Sequence, residues 1–316
     1  VLGWTSFHGH HAEGEAEQRE LMAKATARGV YEDFAMSAGS LSWQLALAGR
    51  LNEATTLAEA ADDAVSGHDW YRFGALARLA TINARIWTGS SVPDHPVAPS
   101  DHTGQAPLLL LERFATAMTK AQRNAAEGRQ PFDDDFRTAA DELMESRLVL
   151  WMGLMATPLV ARDLPAWLRS PFTQVAGTTD PCFLQPLAAM VNAWADDDEA
   201  PLAAAAQDLE RAGILPLAAL AHAQRVRLTR ASMPLQAFHS EVAARRCLSR
   251  VDGLHPKWQP PVTQVLTERQ HQIAALATGQ TSQEVAERLF VSKRTVDNHL
   301  HRIFTKLGID GRDELD

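Results

Sequence analysis

The chain has 316 residues, 46 % of them apolar, with 30 Lys and Arg against 39 Asp and Glu and a formal net charge of −9. That is room for two or three domains with substantial cores, and the acidic balance excludes a protein that coats nucleic acid over its whole surface. It does not exclude a local patch: Arg288, Lys293, Arg294, Arg302 and Lys306 face a single anion, Asp297, so Arg288–Leu307 carries +4 and the rest −13.

The chain starts at Val1 rather than Met, which reads as a processed product or an excised piece. His8, His10 and His11 lie near Glu13 at this end; imidazoles ligate metals, but no second cluster completes a site, so no metal and no cofactor are expected. Up to about residue 250 the composition is rich in Ala, Leu, Glu and Arg. Apolar residues recur at i, i+3, i+4 and i+7 with Gly or Pro between segments, the pattern of successive amphipathic helices. In SWQLALAGRLNEATTLAEAADDAV, Gly49 closes one helix, and Ala54, Ala58 and Ala61 follow at helical spacing on the next. Small side chains let two antiparallel helices approach closely. The stretch resembles the turn and second helix of a tetratricopeptide repeat; looser instances are RTAADELMESRLVLWMGL and LERAGILPLAALAHAQRVRL, where Gly213 ends a helix and Pro216 starts another.

The prolines of Ser90–Pro107 remove amide donors, so this segment reads as a long loop between helical subdomains. The longest apolar run, Leu148–Ala161, is broken by Pro158 and falls short of the roughly 20 residues a membrane span needs; a buried core helix is expected, and no membrane partner. The acidic runs Asp133–Asp135 and Asp196–Glu199 precede helical patterns and read as N-terminal caps. Cys182 and Cys247 match no metal spacing and read as buried, reduced thiols of a cytoplasmic protein. Val251–Gln264 loses the helical period and marks a linker over residues 251–265. No lysine stands in a phosphate-binding loop, and H-E-x-x-H and G-x-S-x-G are missing, so no enzyme is expected.

The last fifty residues, 266–316, divide into short helices with strong boundary signals. Thr267 with Gln270, and Thr281 with Glu284, form capping boxes, with Leu266 before the first. Gly279 ends the first helix and the second runs to about Phe290. Ser292 caps a third, which Gly308 closes. A very short turn between the second and third makes a helix-turn-helix. At 100° per residue Val296, Leu300, Ile303 and Leu307 form one stripe, while Arg294, Asp297, Asn298, His301, Arg302 and Thr305 face away from it. Those side chains suit base edges or phosphates.

These residues resemble the LuxR-type helix-turn-helix. The carriers are Leu266-Thr267 with Arg269, Ala274 to Gly279, Glu284-x-Ala286-x-x-Leu289, Val291-Ser292-x-x-Thr295-Val296-x-x-His299-Leu300, Ile303-x-x-Lys306-Leu307-Gly308 and Arg312. The resemblance implies that the third helix enters the DNA major groove. It implies that Asp297, Asn298 and His301 face bases, and that Ser292, Lys293, Thr295, His299, Arg302 and Lys306 face phosphates; Arg294 joins the phosphate set. Asp297 can only accept a hydrogen bond and would favour a cytosine amino group. Ser282 and Gln270 depart from the family's usual Asn and Glu. Only Asp310–Asp316 stand where the family's fourth, subunit-pairing helix is expected.

The helical region is similar to that of large ATP-binding regulators of the LuxR family, in which an ATPase module precedes TPR-like helices and this terminal domain. The expectation is an all-α protein: a TPR-like helical-hairpin region over 1–250, then a LuxR-type helix-turn-helix. Its expected partners are double-stranded DNA, a second copy of the chain on that DNA, and a protein or small-molecule effector at the helical region. The alternative is the C-terminal part of an ATP-dependent regulator serving as an interaction scaffold.

Overall fold

The computed structural model describes residues 11–66, 74–90, 106–146, 167, 169, 173, 174, 176, 184–256 and 265–315. Among these residues the regular structure is helical, with no strand beyond an isolated Arg50–Asp252 bridge. The first group of helices is α1 (His11–Arg28), α2 (Tyr31–Ala48), α3 (Leu51–Val65), α4 (Gly74–Thr88), α5 (Ala106–Ala126) and α6 (Asp134–Glu145). The second is α7 (Leu184–Ala195), α8 (Glu199–Arg211), α9 (Leu215–Thr229) and α10 (Pro234–Leu248).

Within each group every helix packs on the next. Where the links are short, as between α1, α2 and α3 and between α7, α8, α9 and α10, the pairs are hairpins. Between α2 and α3 the link is Gly49 and Arg50, and Gly49 sits at φ 88°, the left-handed conformation that caps α2. Ala54, Ala58 and Ala61 are all fully buried on the inner face of α3, as their spacing predicts. Gly213, at φ 73°, and Pro216, in the first turn of α9, bracket the link between α8 and α9. The two groups join through α2 and α9, so a single apolar core runs from Leu41 to Cys247. That position explains why α2 is buried without a break from Ser37 to Leu47 and α9 from Leu215 to Gln224: helices covered on all sides need no polar face. Cys247 is a free thiol in this core, and burial pushes it up to about 11.

The two acidic runs differ. Asp133 caps α6 through the Phe136 amide at 3.0 Å, as expected. Asp198 stands before α8 but its side chain makes no cap. Here the side-chain capping expectation fails, and the flanking carboxylates are engaged elsewhere: Asp196 pairs with Arg169, Asp197 with Arg227, and Glu199 with Arg225.

After α10, residues 251–256 turn back across the first hairpins. The Asp252 amide donates to the Gly49 carbonyl at 2.9 Å, the Asn52 amide to the Asp252 carboxylate at 2.9 Å, and the His255 amide to the Trp87 carbonyl at 3.0 Å. A Cβ at Gly49 would lie 2.7 Å from Val251, and one at Gly89 2.3 Å from His255. Two glycines thus make room for this strap. His8, His10, Cys182, the apolar run 148–161 and most of the 90–107 segment lie outside the described residues. Among the described residues no helix is long and apolar enough to cross a membrane.

Candidate nucleic-acid interface

Three further helices follow: α11 (Glu268–Ala277), α12 (Ser282–Arg288) and α13 (Lys293–Leu307). Both capping boxes form. The Gln270 amide donates to Thr267 Oγ1 at 3.3 Å, and the Thr267 amide to Gln270 Oε1 at 3.1 Å. The Glu284 amide donates to Thr281 Oγ1 at 3.3 Å, and the Thr281 amide to Glu284 Oε2 at 2.7 Å. That amide, with the Thr281 hydroxyl, holds the Glu284 carboxyl below the usual carboxylate range. Ser292 caps α13 through the Thr295 amide at 3.1 Å, and Gly308, at φ 68°, ends it.

The turn between α12 and α13 is Leu289–Ser292. The second helix stops before Phe290, which takes φ 55° and is 95 % exposed. This left-handed conformation is unusual for an aromatic residue. Two arginines brace the neighbourhood. Arg269 Nη2 donates to the Leu289 carbonyl at 3.3 Å, and Arg312 donates to the Gln280 carbonyl at 2.5 Å and to Ser282 Oγ. Both arginines stand in the motif, but spacing alone does not disclose this bracing role.

The predicted stripe is the buried one: Val296, Leu300, Ile303 and Leu307 are at most 3 % exposed. They meet Leu266, Ile273, Ala274, Ala277, Val285 and Ala286, and the alanines let three short helices approach closely. The opposite edge, Arg294, Asp297, Asn298, His301, Arg302 and Thr305, is exposed along its whole length. Lys293 and Ser292 are exposed at its start, while Thr295 and His299 are half-buried on its borders. Thr295 Oγ1 is engaged by Ser292 Oγ at 2.8 Å, and His299 Nδ1 is buried with no hydrogen-bond partner among the described residues.

The predicted phosphate-facing residues therefore fall into two groups. Ser292, Lys293 and Arg294 lie at the start of α13, and Arg302 and Lys306 lie about 12 and about 18 Å beyond Arg294. The second group opens on a cleft of about 580 Å³ lined by Thr267, Gln270, His299, His301, Arg302, Thr305 and Lys306. Sequence reasoning placed Thr267 and Gln270 only in a cap. In the structure they also wall this cleft, where Lys306 Nζ donates to Gln270 Oε1 at 2.9 Å.

Charge pairing differs between this edge and most of the helical region. In the helical region Arg19 and Arg50 each meet Glu15 at 2.7 Å, Arg85 meets Glu59 at 2.9 Å, and Arg246 meets Glu210 at 2.8 Å. Among the described residues Lys293, Arg294 and Arg302 have no carboxylate partner. A cation without an internal counterion is available to an external one.

The family described as bacterial regulatory proteins, luxR family, matches residues 264–315. Over 51 residues the chain is 37 % identical to the spore germination protein GerE of Bacillus subtilis (strain 168), covering 16 % of this chain and 69 % of that protein. The chain belongs to the luxR family of bacterial regulatory proteins. No solved structure matches it. The matched segment contains both capping boxes, the braced turn and the whole of α13, so the family assignment and the exposed polar edge fall on the same residues.

Proposed function

We propose that this luxR-family chain is a transcriptional regulator that binds double-stranded DNA by laying α13 in the major groove. The observation that carries the reading is the exposed edge of α13 with its unpaired cations, on a chain whose other surface cations are largely matched. Asp297, Asn298 and His301 read bases. Asn can bond adenine in two places, and Asp accepts from cytosine. Ser292, Lys293, Arg294 and Thr295 hold one phosphate wall, and His299, Arg302 and Lys306 the other. Arg294 and Lys306, about 18 Å apart along the axis, span more than the roughly 12 Å width of the groove, so both walls are within reach. The unpaired Nδ1 of His299 points to its Nε2 as the atom offered to a phosphate.

The helical hairpins, TPR-like in their pairing, form an effector or protein-interaction region. Clefts of about 270 and 460 Å³ flank α5 and offer it concave surface. Two copies bind adjacent half-sites about 10 base pairs apart. The work is cytoplasmic and includes no catalytic step. Titration of genomic duplex fragments at 50 and 200 mM salt tests the reading. Tight, salt-sensitive complexes with a sequence-selective subset support it, and no complex at low salt defeats it.

A further inference from the structure

We propose that α10 is a shared helix, built into the core of the helical region on one flank and into the core of the helix-turn-helix on the other, so that it mounts α13 in a set orientation. Leu235, Phe238 and Val242 recur at i, i+3 and i+7, and all three pack on the helix-turn-helix core, where Phe238 is 4 % exposed. Cys247 is nine residues beyond Phe238 and therefore half a turn away around the helix. It is fully buried in the other core, with Leu248 against it. One helix thus has its two flanks in two different clusters, and it also touches α13 directly.

Polar contacts fix the junction. Glu241, one turn from Phe238, is fully buried. Its Oε2 accepts the Val265 amide at 2.8 Å, just ahead of α11, and its Oε1 lies 3.1 Å from Arg245 Nη2 and 3.7 Å from His271 Nε2. The Phe238 ring stands 5.2 Å from the His271 ring, and Arg245 Nη1 is 3.5 Å from Glu268. A buried carboxylate survives only with such partners, and removing them leaves it costly. The chain between the two units is tied at both ends, by Glu241 at Val265 and by the strap at Gly49 and Trp87. Throughout, Asp297, Asn298, His301 and Arg302 remain exposed. The junction therefore presents the polar edge of α13, and a shift of α10 against α9 moves that edge as a unit.

Backbone amide relaxation on the perdeuterated full chain tests the mounting without any DNA, so its failure leaves the proposed function standing. In the wild type the amides of α11–α13 should tumble with the same correlation time as those of α9; a value shorter by about a third or more overturns the proposal. In Phe238→Ala, and separately in Glu241→Ala, the α11–α13 value should fall to about half or less while the α9 cross-peaks stay in place. If Phe238→Ala loses the α9 cross-peaks, Val242→Ser and Glu241→Gln decide instead. An unchanged α11–α13 correlation time in both of those sinks the shared helix.

Discussion

The helical region and the terminal three helices solve the same problem of cationic side chains in opposite ways. In α1–α10 most arginines are matched, several of them across helix contacts, as in Arg78 to Glu112 at 2.7 Å and Arg113 to Glu142 at 3.0 Å. Each such pair contributes little to stability in water, but collectively they leave a surface with little to offer a polyanion. On α13 the cations stand free along one edge, at a net cost in self-repulsion that the apolar stripe beneath must offset. Family membership is carried by the region with the unmatched charge.

The largest test of that contrast removes it. Replacing Lys293, Arg294 and Arg302 together by Ala should weaken duplex binding about a thousandfold at 50 mM salt and flatten the salt dependence by roughly three units of slope. Arg113→Ala and Arg227→Ala, which break matched pairs in the other region, should leave both quantities unchanged. Equal losses from the two sets, measured by fluorescence anisotropy, would erase the distinction.

The support under the edge comes next. Ile303 is fully buried where α13 meets α11 and α12. Ile303→Ala should cost about 2–5 kcal/mol by transfer and cavity terms, read by chemical denaturation. Because the terminal helices form a small unit, α11–α13 amides should lose hydrogen-exchange protection before those of α9 do.

Within the edge, Asn298→Ala should cost about 1–3 kcal/mol at one base pair and relax specificity there. Lys306→Ala should weaken all sequences alike and lower the salt slope by roughly one unit. Selection from a randomised duplex pool separates the two; a uniform loss from both would undo the division into base-facing and phosphate-facing residues.

The two regions also differed in how much the sequence alone disclosed. The terminal helices were legible because their determinants are local: a capping box spans four residues, and the α13 stripe repeats every turn. What escaped there was tertiary, namely Arg269 on the α12–α13 turn, Arg312 on the link between α11 and α12, and Thr267 in the cleft wall. In the helical region, hairpin positions such as Gly49 with Ala54, Ala58 and Ala61 were readable, since they depend on one turn and one interface. Contacts between residues distant in the chain were not. Phe238 looks like any apolar position of α10, and Glu241 like a solvent residue, until α11 is placed beside them. At the acidic run Asp196–Glu199, the pairs of Asp196, Asp197 and Glu199 with Arg169, Arg227 and Arg225 were likewise invisible in the local pattern.

The smallest expected effect concerns acid. His222 is 4 % exposed in the core of the helical region, and burial first of all pushes its imidazole below the ordinary value, against the opposing pull of Glu210 at 3.4 Å. The folded state therefore binds this proton less readily than the unfolded chain, and linkage makes stability rise with pH through that range. The contribution is fully present above about pH 6.5, the unfolded imidazole value, and is lost as pH falls from there towards the lower folded value. Glu284 in the α12 capping box is also depressed, by the Thr281 amide and hydroxyl. Its contribution is fully present above about pH 4.3 and is lost only as pH falls below that. Acidification from pH 7 to pH 5 should thus weaken α8–α10 while α11–α13 hold, as seen by hydrogen exchange at the two pH values after correction for intrinsic rates. His222→Gln should flatten that response and leave α11–α13 as they were. A loss appearing first in α11–α13 would show that the acid-sensitive group lies elsewhere.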